Sequence, residues 1–185
     1  MRGFETCRTR SSRVPDCAVR AVDIPVWGTD ELYAPNAMGI AYQANGEIRL
    51  VVAVIDGNVD ADEFREVARQ QANDPAFRAC NRTLTDATTA TISPPPSAEE
   101  IAAFAADYTE LRAKGPPGRS AIVAGDDRTL AGRYSDRRSD AATRVMPFRD
   151  LEPACMWLGV SLDDARSMID ELREGLRATR DTASA

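Results

Sequence analysis

Two periodicities divide this chain. Gly39–Gln43, Glu47–Ile55, Arg119–Ala124 and Thr143–Phe148 are short apolar-rich runs without a helical repeat. Such runs predict strands. The second of them ends in IRLVVAVID, apolar almost throughout, the pattern of a strand buried on both faces. Asn45-Gly46 separates the first two runs and predicts a hairpin closed by a type I′ turn, in which both central residues need positive φ. Cys80–Asp86, CNRTLTD, is placed as a third strand although it is far more polar than the others.

Between these runs the apolar residues recur at intervals of three and four. Asp60-Ala61-Asp62-Glu63 reads as a capping box, with Val59 and Phe64 at the two staple positions. Phe64, Val67, Ala68 and Gln71 carry the inward stripe until Asn73-Asp74-Pro75 stops the helix, and Phe77 packs at its exit. Pro94-Pro95-Pro96 forbids helix until Ser97, which opens a second capping box with Glu100. Ile101, Phe104, Ala105, Tyr108 and Leu111 continue that helix until Lys114-Gly115.

Gly118–Gly159 is the organising stretch, reading strand, helix, strand, helix. Gly125-Asp126-Asp127 breaks the first strand and caps a helix through about Ser139. Asp150 opens a last short helix with Ala154, Trp157 and Leu158 on one face, and Gly159 ends it. This order implies parallel strands joined by right-handed crossovers. The expected fold is α/β, with a mixed sheet of about five strands, helices chiefly on one face, and an extra C-terminal helix. Pro147 lacks a ladder donor and suits an edge strand. The expected core holds Val52, Val54, Phe64, Val67, Ile101, Phe104, Ile122, Val123, Trp157 and Leu158.

After Gly159, Ser161 caps one further helix. Its apolar residues Leu162, Ala165, Ile169, Leu172 and Leu176 form a seam two heptads long. Two heptads are too short to hold a coiled coil alone, so the seam is expected to pack back on the domain, with a homodimer contact as the alternative. Residues 1–37 show no sustained period and are interrupted by Pro15, Pro25 and Pro35. They read as a disordered or loosely docked extension in which Val22–Trp27 can dock; a second reading starts the chain at Met38. The domain then spans 38–159 and the C-terminal helix and tail 160–185.

Composition narrows the chemistry. A net charge of −6 argues against general nucleic-acid binding. No apolar run reaches the ~20 residues of a membrane span. The chain has no histidine, and its four cysteines, at 7, 17, 80 and 155, form no CxxC pair, so no structural zinc site is expected. Reduced thiols fit a cytoplasmic protein. Asp56, Asn58, Asp60 and Asp62 alternate like a calcium loop, but Ala61 and Val67 stand where that loop needs Gly and the bidentate Glu. No metal, cofactor or catalytic motif is expected. Arg128, Arg133 and Arg137 recur along one predicted helix and are anion-binding candidates, although an exposed helix answering its own aspartates has the same pattern.

One resemblance runs through residues 38–159. Gly118-Arg119 opening a small apolar strand, Ala131-Gly132-Arg133-Tyr134, Phe148-Arg149-Asp150-Leu151-Glu152 and Trp157-Leu158-Gly159 resemble the bacterial SpoIIAA-like (STAS/SEC14-like) family. The resemblance implies a non-catalytic regulatory module that engages a protein partner through the segment around Asp86–Ser97. Phosphorylated anti-sigma-factor antagonists of that fold carry an Asp-Ser pair at the end of the third strand. Here Asp86 is followed by Ala87, leaving Thr88 and Thr89 as the substitutes and Ser97 beyond them. The alternative is a carrier of a small lipid or anion, and an enzyme is the third reading. A cavity beneath the Ser97 helix favours the carrier; a closed core with an exposed apolar patch favours the partner module.

Overall fold

The computed structural model describes residues 39–113, 116–126, 129–138 and 143–183. The expectations for residues 1–37, Met38, Lys114-Gly115, Asp127, Arg128 and Ser139 lie outside the described residues, as does the side chain of Arg137. Five strands form one sheet in the order β1-β2-β3-β4-β5. They are β1 (Ile40–Asn45), β2 (Leu50–Val59), β3 (Arg82–Ile92), β4 (Gly118–Val123) and β5 (Thr143–Phe148). β1 is antiparallel to β2, and every other pair is parallel. The sheet is therefore mixed, as expected, and Pro147 sits on the edge strand β5.

Strand order explains the layers. Each parallel connection steps one place in the same direction, so right-handed crossovers all land on one face. These connections are α1 (Ala61–Asn73) with α2 (Pro75–Ala79), α3 (Ala98–Ala113) and α4 (Thr129–Arg138). They pack beside one another, α3 against α1 and against α4. The opposite face is left to the chain after β5, where α5 (Leu151–Leu158) and α6 (Leu162–Ala183) cover it. Four helices thus gather on one face and two on the other.

Double coverage accounts for the composition of β2. Leu50, Val52 and Val54 point toward α5 and α6, while Val51, Ala53 and Ile55 point toward the crossover helices, and all six are buried. The α6 face holds one contiguous cluster from Leu50 and Leu84 to Ile169 and Leu176. The C-terminal seam lies inside that cluster, so its apolar side is spent on the chain's own sheet.

Local signals mostly place the helices correctly. Asp60 accepts from the amides of Asp62 and Glu63, and the Glu63 carboxylate accepts from the Asp60 amide, completing the capping box. Glu63 also accepts from the amide of Gly39, tying α1 to the start of β1. A Cβ at Gly39 would collide with the Val59 side chain and the Asp56 carbonyl, so this close approach requires glycine. Ser97 and Glu100 form the second capping box, and Ser161 caps α6. Gly159 ends α5 in the left-handed conformation at φ 68°. Asp150 occupies the N-cap of α5 without making a side-chain cap bond.

Four expectations are corrected. The first hairpin has a four-residue connection, with Asn45 paired to Leu50, rather than a two-residue type I′ turn. The Asn45 side chain accepts from the amides of Glu47 and Ile48, and Arg49 takes the positive φ instead of Gly46. An Asx-type turn has won over Asn-Gly. β3 starts at Arg82 and runs to Ile92, six residues past Asp86, so Thr88 and Thr89 are strand residues and not loop residues. Phe64, Phe104 and Ile122 are only half-buried, because they border a cavity. Trp157 is half-buried as well, packing its ring on Phe148 with the Arg119 guanidinium 5.8 Å from the ring centre.

The cluster under α6 can be tested at Leu176, which is 5% exposed. Leu176→Ala is expected to cost about 2–4 kcal/mol in urea unfolding. A loss below ~1 kcal/mol would mean that the last turns of α6 do not hold the sheet.

Candidate functional site

Two features stand out, one on each face of the sheet. On the α6 face, the ends of β2 and β3 carry an ion-pair seam. Asp86 is 6% exposed, and its carboxylate accepts from Arg173 Nη2 at 2.8 Å and from the Thr88 amide and hydroxyl at 3.0 and 2.8 Å. Arg173 also donates to Thr88 Oγ1 at 3.0 Å. One turn pair further along α6, Arg180 donates to the Asp56 carbonyl and carboxylate at 2.8 and 2.7 Å. Thr89 donates its hydroxyl to Asp56 Oδ1 at 2.7 Å.

A β-bulge brings Thr89 into this seam. Val54 pairs with Asp86 and Asp56 pairs with Thr89, so β3 carries one extra residue between them. Asp86 and Thr89 are three apart and would face opposite ways in a regular strand; the extra residue puts both toward α6. The Thr89 hydroxyl, and after it the Arg180 guanidinium, hold the Asp56 carboxyl below its usual range. Asp86, Thr88 and Thr89 are therefore brought together, but Arg173 of α6 engages Asp86 and Thr88, and Asp56 of β2 engages Thr89. Ser97 stands apart from them as the exposed cap of α3.

The second feature lies on the crossover face, beneath the Ser97 helix. A cavity of about 700 Å³ separates the sheet from α1, α3 and α4. Its floor includes Ala53, Thr85, Ala87 and Ile122 from three adjacent strands. Phe64 and Val67 of α1, Ile101 and Phe104 of α3, and Ala131 and Tyr134 of α4 form its walls. Phe104 connects the walls by meeting the rings of Phe64 at 5.6 Å and Tyr134 at 5.7 Å.

The cavity exists because its floor is built from small residues while its walls are propped apart. Below it, Phe77 is completely buried between Val51 and Cys80 and meets Tyr42 and Tyr108 edge-on at 6.0 and 6.2 Å. Burial, then the nearby Asp74 carboxylate, pushes the Tyr42 phenol up to about 12, so this prop stays neutral through the physiological range. Above it, Pro94–Pro96 form a stiff rim. Of the arginine candidates, the structure places Arg133 at this rim; Arg128 and the Arg137 side chain lie outside the described residues.

Sequence reasoning placed its candidates on the β3 end and on the α4 arginines, named a cavity beneath the Ser97 helix only as the mark of a carrier, and did not find the residues that line it. Its signal was present in the small residues Ala53, Ala87 and Ala90 and in the unusual polarity of the third strand. Cys80 and Cys155 are buried thiols, and burial raises the Cys155 thiol above its usual range. Among the described residues, no helix is long and apolar enough to cross a membrane.

No family model matches the chain, and no curated protein does. The structure is similar to that of an uncharacterised protein of the DUF3478 family with a SpoIIAA-like fold, from Shewanella loihica PV-4. Identity is 19%, the match covers 65% of this chain and 93% of that one, and the TM-score is 0.43.

The Asp56 seam makes a pH prediction. Because its folded-state pKa lies below the unfolded value, its contribution is present above about pH 4–5 and is lost as the pH falls through the folded value. Asp56→Asn is expected to lower stability by a constant amount above about pH 5, with the gap to wild type closing below about pH 4. Urea unfolding across this range checks it, and a gap that stays open in acid would assign Asp56 no electrostatic role.

Proposed function

We propose that the domain binds a small, largely apolar ligand in the cavity between the sheet and α1, α3 and α4, and that it works by binding and not by turnover. The observation that carries this reading is the cavity beneath the Ser97 helix. Its size of about 700 Å³ falls within the ~300–1,000 Å³ that small-molecule sites occupy. Aromatic and aliphatic walls with a few polar groups are the lining such sites use. A carrier is thereby favoured over a module that reads partners through Asp86–Ser97, since the polar atoms of Asp86, Thr88 and Thr89 are already held by α6 and its seam.

A second reading keeps a protein partner but moves its contact. Met146 on the edge strand β5 and Met156 on α5 are exposed large hydrophobics, and exposed methionines suit an adaptable protein contact. Native mass spectrometry of protein isolated gently from its host separates the two readings. A retained small mass supports the carrier; a bare domain that co-isolates with a stoichiometric protein, and loses it on Met156→Ser, supports the partner module.

The cavity can also be filled. Ala53 is buried on its floor, and Ala53→Phe places a ring inside it. The neutral fluorophore N-phenyl-1-naphthylamine is expected to bind wild type and to bind Ala53→Phe at least about tenfold more weakly, a loss of ~1.4 kcal/mol. Met156→Ser is expected to leave its affinity unchanged. Equal binding by wild type and Ala53→Phe would place the fluorophore elsewhere and remove the support for the carrier.

A further inference from the structure

The charged groups of the cavity all lie at one end. Arg65 and Glu100 lie in the opening turns of α1 and α3, Asp126 follows β4, and Arg133 is in the first half of α4. In this topology all four belong to the end of the sheet where the parallel strands finish, beside Pro94–Pro96. Gln71 lies in the last turn of α1 and Ser120 near the start of β4, so both belong to the opposite end. Thr85 lies between them on the floor, paired with Ala53 and Ile122.

Gln71 is the unusual residue of this set. It lines the cavity, is only 5% exposed, and follows Phe64, Val67 and Ala68 on the inward side of α1. Its carbonyl accepts the Asp74 amide, but among the described residues no hydrogen bond reaches its side-chain amide. The hydroxyls of Thr85 and Ser120 likewise make none among the described residues. The Gln71 amide is not sealed off, since among the described residues Arg173 Nε is the fully buried side-chain atom without a partner; the amide therefore opens into the cavity, where an occupant can meet it. A helix of this kind would hold leucine at that position if packing were its task alone.

We propose that this end of the cavity receives a neutral head group that both donates and accepts hydrogen bonds, such as a primary amide, with Gln71 as its principal partner and Thr85 and Ser120 beside it. The proposal rests on the ligand-binding reading and adds the ligand's class and direction. The apolar body of the ligand lies against Phe64, Phe104 and Ile122, toward the charged rim. A carboxylate or phosphate is disfavoured at the inner end, because none of the charged residues lining the cavity is there to offset its desolvation. Gln71 supplies a carbonyl acceptor and two N–H donors, which match an amide in both senses.

The test uses the full chain, N-phenyl-1-naphthylamine as a reporter of cavity entry, and octanamide and octanoate as competitors at about pH 7. Wild type is expected to take octanamide at least about tenfold more tightly than octanoate. Gln71→Leu is expected to weaken octanamide about tenfold and to hold the reporter within about twofold. Thr85→Val, nearly equal in shape, is expected to weaken octanamide in the same sense. A preference for octanoate, or unchanged octanamide binding in both variants, would each overturn the proposal while leaving a binding cavity in place. Failure of the reporter to enter wild type would instead remove the ligand-binding reading, and this proposal with it.

Discussion

A sheet whose parallel strands advance in one direction can be covered by its own crossovers on one face only. That constraint governs the rest of this structure. The bare face carries Leu50, Val52, Val54 and Leu84, all fully buried, and nothing between β2 and β5 can cover them. The chain after β5 has to return across the sheet, and α5 and α6 do so. Apolar burial of Ala165, Ile169 and Leu176 supplies the attraction, but apolar contact alone is non-directional. Register comes from the two arginines, Arg173 on Asp86 and Arg180 on Asp56, seven residues apart on one face of α6. The β3 bulge adds Thr89 to the same face, where its hydroxyl holds the Asp56 carboxylate in place for Arg180.

The same constraint frees the other face. With one contiguous cluster anchoring α6 to the sheet, the crossover helices need not pack tightly over their whole length. Among the described residues their core is divided into a group around Val59 and Val67 and another around Phe77, and the cavity borders the first of these. The capping boxes at Asp60 and Ser97 fix where α1 and α3 begin, so neither helix can slide to fill the space. Alanine at 53, 87 and 90 keeps the floor low.

Most of the fold was legible because its signals are local. Caps, the buried run in β2, the edge proline and the seam of α6 each have a short-range cause in neighbouring residues. The hairpin misled because Asn45 had two local options, and its side chain chose the amides of Glu47 and Ile48 over a two-residue turn. The end of β3 misled for a different reason. Its polar residues read as loop because their partners, Asp56 and Arg173, are far away in sequence. Polarity in a central strand signals a loop or a long-range polar contact, and composition alone does not separate the two.

The cavity was illegible for a related reason. A stripe of apolar residues predicts that a helix face points inward, and Phe64, Phe104 and Ile122 do point inward. It does not predict what they meet. Whether facing side chains interdigitate or stand apart depends on residue sizes across three strands and three helices at once, and on props such as Phe77 that keep the helices raised. Gln71 shows the same limit from the other side. On the sequence it is a polar residue at the end of an apolar stripe, ordinary for a helix about to leave the core. Only its burial inside a chamber, with no protein partner among the described residues for its amide, turns it into a group awaiting something else.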